Sequence, residues 1–130
     1  MEAKHMSVGQ FVFMLHSHLP YYRKAGMWPF GEENLYECMA ETYVPLLNAI
    51  SELWDEGIKA KLTVGITPIL AEQLNDEHLQ HGFVKYIDAQ IKAVSKDLER
   101  YPDPKVQHSQ HLKYLAKYYF DLWNKLRDDF

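Results

Sequence analysis

Two short apolar runs constrain the fold more than any other feature of this sequence. Gly9–Leu15 reads GQFVFML and Lys61–Thr67 reads KLTVGIT. Both are rich in apolar or β-branched residues and too short for a helix, as expected of strands covered on both faces. The stretch between them has helical spacing: Leu35, Met39, Tyr43, Leu46, Leu47, Ile50, Leu53 and Trp54 fall on one stripe, predicting a helix over 34–54. Strand, helical crossover, strand predicts a right-handed βαβ unit with parallel strands. Two strands cannot complete a parallel sheet, and their open edges invite association, including self-association of the chain. The expected class is therefore α/β: the opening portion of a larger barrel, helix-rich, with two parallel core strands.

Breakers mark the connections. Pro20, Gly26, Pro29 and Gly31 interrupt any periodicity over 16–32, which reads as a long loop. Pro45 lies inside the first helical pattern and predicts a kink or two abutting helices, because it lacks an amide donor and crowds the preceding turn. Gly57 suits a helix C′ position. Thr67 and Pro68 predict an N-cap and first helical residue, opening a helix that carries Ile69, Leu70, Glu72 and Leu74. Phe83, Ile87, Ile91, Val94 and Leu98 predict an amphipathic helix ended by the segment Tyr101–Pro104. Leu112, Leu115, Tyr119, Leu122 and Leu126 predict another.

Length and charge exclude several function classes. The 130 residues suffice for one domain. Fourteen Lys and Arg against eighteen Asp and Glu give a net charge of −4 with no basic stripe, which argues against nucleic acid as a partner. No apolar run is long enough for a bilayer, so no membrane partner is expected. The start lacks the apolar core of a signal peptide. Cys38 is the one cysteine, so an intrachain disulfide is excluded, which fits a reducing cytoplasm. The His5-Met6 pair resembles a cloning junction. Residues 1–6 are therefore expected to be a leader, with 7–130 as the native domain. Nine Tyr, six Phe and three Trp can fill a core, and such rings can also serve as sugar platforms, since a pyranose packs its C–H face on a flat ring.

The strongest local signal is His16-Ser17-His18-Leu19-Pro20-Tyr21, directly after the first strand. In α/β barrels the loops at the carboxyl ends of strands form the active site. Three readings are open from the residues alone. The H-x-H pair could ligate a metal, although metals need three or four ligands and neither His5, His78, His81, His108 nor His111 has an Asp or Cys at a convincing spacing. The histidines could be satisfied core residues. Or neutral imidazoles could recognise sugar hydroxyls as donors and acceptors.

The run FVFMLHSHLPYYRKAGMWPFGEENLYECMAETYVPLL resembles the first conserved region of glycoside hydrolase family 57, with an H-x-H-x-P-Y type sequence after the first strand. W-P-F-G-E-E followed by A-E-T-Y-x-P-L-L is most similar to the branching enzymes of that family, and KLTVGITPILAEQL resembles its second strand and the following turn. The resemblance implies the N-terminal part of an incomplete (β/α)7 barrel and a retaining double displacement by a Glu nucleophile and an Asp acid/base, with no metal or other cofactor. It implies α-1,4-glucan as partner and α-1,6 branch formation as activity, with 4-α-glucanotransferase or α-amylase activity as alternatives within the family. His16 and His18 match histidines lining the subsite beside the cleaved bond. Trp28 matches an aromatic near the acceptor cleft, and Glu72 an acid that holds sugar hydroxyls. Tyr21 could stack on sugar, donate its hydroxyl or pack in the core. Glu32, Glu33 and Glu41 read instead as a solvated helix start. The nucleophile and acid/base belong to later strands in the family, so no catalytic residue is expected here and the chain alone is expected to be inactive. Outside the family, a metal-dependent hydrolase and a non-catalytic helical interaction module are the other readings.

Overall fold

In the computed structural model, the described residues are 9, 11–103 and 105–129, with side chains described as far as 125. The expected leader at 1–6 and the helix-breaking Pro104 lie outside them. The chain runs β1 (Met14–Ser17), α1 (Glu32–Cys38), a π-helical turn (Met39–Tyr43), α2 (Val44–Asp55), β2 (Thr63–Ile66), α3 (Pro68–Leu74), α4 (Glu77–Arg100) and α5 (Gln107–Asp129).

The strands pair in parallel, with Met14, Leu15, His16 and Ser17 opposite Thr63, Val64, Gly65 and Ile66. The parallel arrangement agrees with the helical crossover expected from the sequence. Their covering does not. The first strand begins later than Gly9, and Phe11, Phe13, Met14, Val64 and Ile66 are all exposed. No buried core residue lies on a strand, so these are not core strands within this chain. The physical reason is simple. Apolar runs cover themselves only when layers lie on both faces, and the helices here pack mainly on one another.

The core lies between helices. Leu35 and Tyr36 of α1, Leu70 of α3, and Leu79, Phe83, Tyr86, Ile87 and Val94 of α4 are buried with Leu112, Tyr119 and Leu122 of α5. On α4 these positions trace the stripe that periodicity predicted. The 24 residues of α4 make a rod about 36 Å long. The Asp76 side chain caps its first turn by accepting from the Leu79 amide at 3.1 Å. At Gly82 the Tyr36 side chain of α1 lies directly against the backbone of α4. A Cβ there would lie 1.9 Å from the Tyr36 hydroxyl oxygen, so only glycine admits the tyrosine.

The expected break at Pro45 takes a definite form. Pro45 is the second residue of α2, directly after the π turn. The Val44 amide reaches back five residues to the Met39 carbonyl. In that register the next donor would be the amide of Pro45, which does not exist. The Tyr118 hydroxyl of α5 donates to the Ala40 carbonyl in its place. At the far end, Gly57 has φ +78° and donates to Trp54, while Ile58 donates to Leu53 at 2.8 Å, a Schellman ending at the glycine the sequence marked.

Candidate functional site at the carboxyl end of the first strand

His16 sits within β1, one residue short of its carboxyl end, and not after it as the sequence suggested. It lies opposite Gly65 in the parallel register, so both residues face the same side of the sheet. A Cβ on Gly65 would lie 3.4 Å from the His16 Nδ1. The imidazole thus lies directly against the Gly65 backbone of β2. The ladder continues past the strands through the Thr67 amide, which donates to Ser17 at 3.2 Å. Thr67 occupies the N-cap position of α3, but its hydroxyl makes no capping bond and is buried without a partner.

Beyond the strand, residues 20–24 are held by side chains from α3, from the N-cap of α4 and from α1. Gln73 of α3 accepts from the Tyr22 amide at 2.6 Å and donates to the Pro20 carbonyl at 2.9 Å. Asp76 takes the Arg23 guanidinium at 2.5 Å. Glu32 accepts from the Lys24 amide at 2.7 Å. Burial alone would push the Asp76 carboxyl upward, but Arg23 and the amides of Leu79 and His78 hold it below the usual carboxylate range. His16 and His18 are exposed just before this held segment, and Tyr21 within it is 60% exposed.

Glu32 corrects a second expectation. It is not a solvated helix-start carboxylate: it is only 7% exposed. Its Oε1 accepts from Lys24 and contacts His78 Nε2 at 3.0 Å, and its Oε2 accepts from the Tyr36 hydroxyl at 3.1 Å. Burial pushes its pKa up, yet these hydrogen bonds from Lys24, His78 and Tyr36 outweigh burial and leave it lowered. With both oxygens engaged, Glu32 is poorly placed to act as a nucleophile. The loop above it is equally constrained. Lys24 and Phe30 have positive φ, and a Cβ on Gly31 would lie 2.1 Å from the Gly26 carbonyl oxygen. Trp28 stands out from this braced loop, 77% exposed, so it pins nothing beneath it, and Phe30 beside it is 83% exposed.

Glu72 is exposed on α3, next to Gln73. Among the described residues it forms no hydrogen bond or ion pair with His16 or His18. The structure thus places His16 in β1, His18 just past its end and Tyr21 in the held segment that follows, with Trp28 and Glu72 on other parts of the chain. No three His, Cys, Asp or Glu side chains among the described residues gather as a metal site would require. No helix among the described residues is long and apolar enough to cross a membrane.

A cavity of about 730 Å3 lies elsewhere, between α4 and the start of α1, and is lined in part by Glu32, Tyr36, His78 and Lys85. Size does not make it the better site, because both oxygens of its Glu32 carboxylate are already engaged by protein groups. A second groove of about 250 Å3 lies under the other face of the sheet, where Ser17, Val64 and Ile66 meet Leu46, Ile50 and Leu70. It is almost wholly apolar. The residues that sequence reasoning missed are Gln73, Asp76 and Gly65. Only Gly65 left a signal, as a glycine inside a strand pattern.

Comparison with known proteins gives a consistent picture. The family model for glycosyl hydrolase family 57 matches residues 12–126. A 1,4-alpha-glucan branching enzyme of Thermococcus kodakarensis is 42% identical over 123 residues, covering 93% of this chain and 18% of that enzyme. The crystal structure of a branching enzyme of the same family from Pyrococcus horikoshii matches with a TM-score of 0.84 at 40% identity, over 90% of this chain and 22% of that one. The alpha-amylase AmyC of Thermotoga maritima matches with a TM-score of 0.77 at 28% identity, again over 90% and 22%. The chain spans about a fifth of the length of these relatives.

Proposed function

The chain belongs to glycosyl hydrolase family 57, and from that premise we propose that it forms the N-terminal part of the catalytic barrel of a cytoplasmic 1,4-α-glucan branching enzyme. In this reading residues 7–130 belong to an incomplete (β/α)7 barrel, and the exposed faces of β1 and β2 are covered by its other strands. The chain supplies part of the sugar cleft. His16 and His18 hold glucose hydroxyls beside the scissile bond as neutral donors and acceptors. Tyr21 and Trp28 offer ring faces to the glucan, and Glu72 accepts from sugar hydroxyls. The enzyme cleaves an α-1,4 bond, holds the donor segment as a glycosyl-enzyme, and passes it to the 6-hydroxyl of an acceptor chain. Retaining chemistry needs two carboxyls about 5–5.5 Å apart across a cleft. Glu32 is spent on its own loop and is not one of them. Nucleophile and acid/base come from other parts of the enzyme.

The observation that supports this reading most is the pair of exposed imidazoles at the carboxyl end of β1, in a chain 42% identical to a branching enzyme. The test uses the gene product carrying this chain at its full encoded length. Incubation with amylose lowers iodine colour, and proton NMR shows α-1,6 anomeric signals without a matching rise in reducing ends. His16→Ala lowers turnover by about a hundredfold or more, in line with a lost contact worth about 3 kcal/mol in the transition state. Reducing ends rising without α-1,6 signals would assign the amylase activity instead. Unchanged turnover in His16→Ala would remove the sugar site from this strand. The 130-residue chain by itself leaves the iodine colour unchanged.

A further inference from the structure

The turn that presents Tyr21 is held by one amide side chain on another element. Gln73 is 1% exposed, yet it lies in the polar sequence AEQLNDE. Its Oε1 accepts from the amide of Tyr22 and its Nε2 donates to the carbonyl of Pro20. These two backbone groups bracket Tyr21. The next two residues are held as well, Arg23 by Asp76 and the Lys24 amide by Glu32. Between these gripped groups the Tyr21 ring stands 60% exposed. A primary amide suits the bracket because it offers a donor and an acceptor at once. A carboxylate of the same shape keeps only the acceptor, and an apolar chain keeps neither.

We infer that Gln73 is a positioning residue for glucan binding: it fixes the backbone on both sides of Tyr21 and thereby presents that ring to the sugar chain. The inference rests on the proposed glucan site. Gln73 need not touch the substrate. Freed from the bracket, the turn samples other conformations, and the ring spends part of its time out of register with the glucan. Affinity falls by the fraction of molecules no longer competent to bind. The bond-breaking groups lie elsewhere, so the loss falls on KM and spares kcat.

The test measures KM and kcat for amylose in the full-length gene product with Gln73→Met, Gln73→Glu, Tyr21→Ala and the Gln73→Met/Tyr21→Ala pair. Gln73→Met raises KM about tenfold with kcat within about twofold. Gln73→Glu, which retains the acceptor for Tyr22, gives a smaller rise. In the Tyr21→Ala background Gln73→Met adds little, because the ring it presents is gone. A purely structural role would lower the melting temperature, and its kinetic effect would persist without Tyr21. If Gln73→Met is not recovered folded, Gln73→Glu carries the same comparison. If Tyr21→Ala alone leaves KM unchanged, the sugar site does not extend to this turn. If Tyr21→Ala raises KM while the Gln73 variants leave it unchanged, or if the two effects multiply, the positioning role is overturned and the sugar site stands.

Discussion

Glu32 shows how far one carboxylate can organise a loop without touching a substrate. It closes the turn at Lys24, receives the Tyr36 hydroxyl from its own helix, and reaches His78 on α4. Replacing it with Gln places an NH2 group against donors that expect an acceptor, and is expected to cost about 1–3 kcal/mol. The pH dependence follows from its lowered pKa. A carboxylate stabilised in the fold binds its proton more weakly there than in the unfolded chain. Its contribution is therefore complete above the ordinary glutamate value, about 4.3, and is lost as pH falls through the depressed folded value. Urea unfolding of the wild type and Glu32→Gln between pH 7 and pH 3 checks this. The stability gap should be widest near neutrality and shrink at the acid end. A gap that holds constant, or widens in acid, would show that the Glu32 charge is not what stabilises the loop.

The α1–α4 contact makes the case for helices against generic rules. In an exposed helix, Gly→Ala adds up to about 1 kcal/mol of stability. At Gly82 the new methyl would lie 1.9 Å from the Tyr36 hydroxyl oxygen and 2.7 Å from its ring. Overpacking of this kind costs about 1–3 kcal/mol, so Gly82→Ala is expected to destabilise, and Tyr36→Phe in the same chain to recover only part of the loss. A shift of the urea midpoint to lower concentration checks the first statement; a rise would mean the two helices do not meet there. This contact also marks what the sequence made legible. Periodicity over Phe83–Leu98 located α4 and its buried stripe, and Pro45 located the break before α2. Glycine and proline announce their backbone consequences locally. Gln73 and Glu32 were misjudged or passed over because each sits among charged residues that look solvated. Their burial depends on backbone groups fifty or so positions away, or on a loop folding back, which no local pattern encodes. The histidine segment was legible as a candidate site because residue types, strand and proline coincide within a few positions. What holds it there, from α3 and the start of α4, was not.

Taken whole, the molecule has its apolar surface in two different states. The buried core lies between helices, while the two strands and the segment before them leave Phe11, Val12, Phe13, Met14 and Ile66 in solvent, with the rings of Phe11 and Phe13 stacked at 6.3 Å. A two-stranded parallel sheet also has two open edges, each with unpaired backbone donors and acceptors. A contiguous exposed patch of this kind, rimmed by hydrogen-bonding edges, is a template for another strand. Within a complete barrel that strand comes from the same polypeptide. For the 130-residue chain by itself, the available partner is a second copy. Sedimentation velocity over a range of concentrations should therefore show a weight-average mass rising above 15.3 kDa. Phe11→Lys and Ile66→Lys should each reduce that rise, because a charge on an edge opposes pairing while the helical core is untouched. Lys on the helical face far from the sheet, at Glu99, should leave it unchanged. A wild-type chain that stays monomeric throughout would mean that the strand pair finds its cover within the chain, and the exposed sheet would then be wrong.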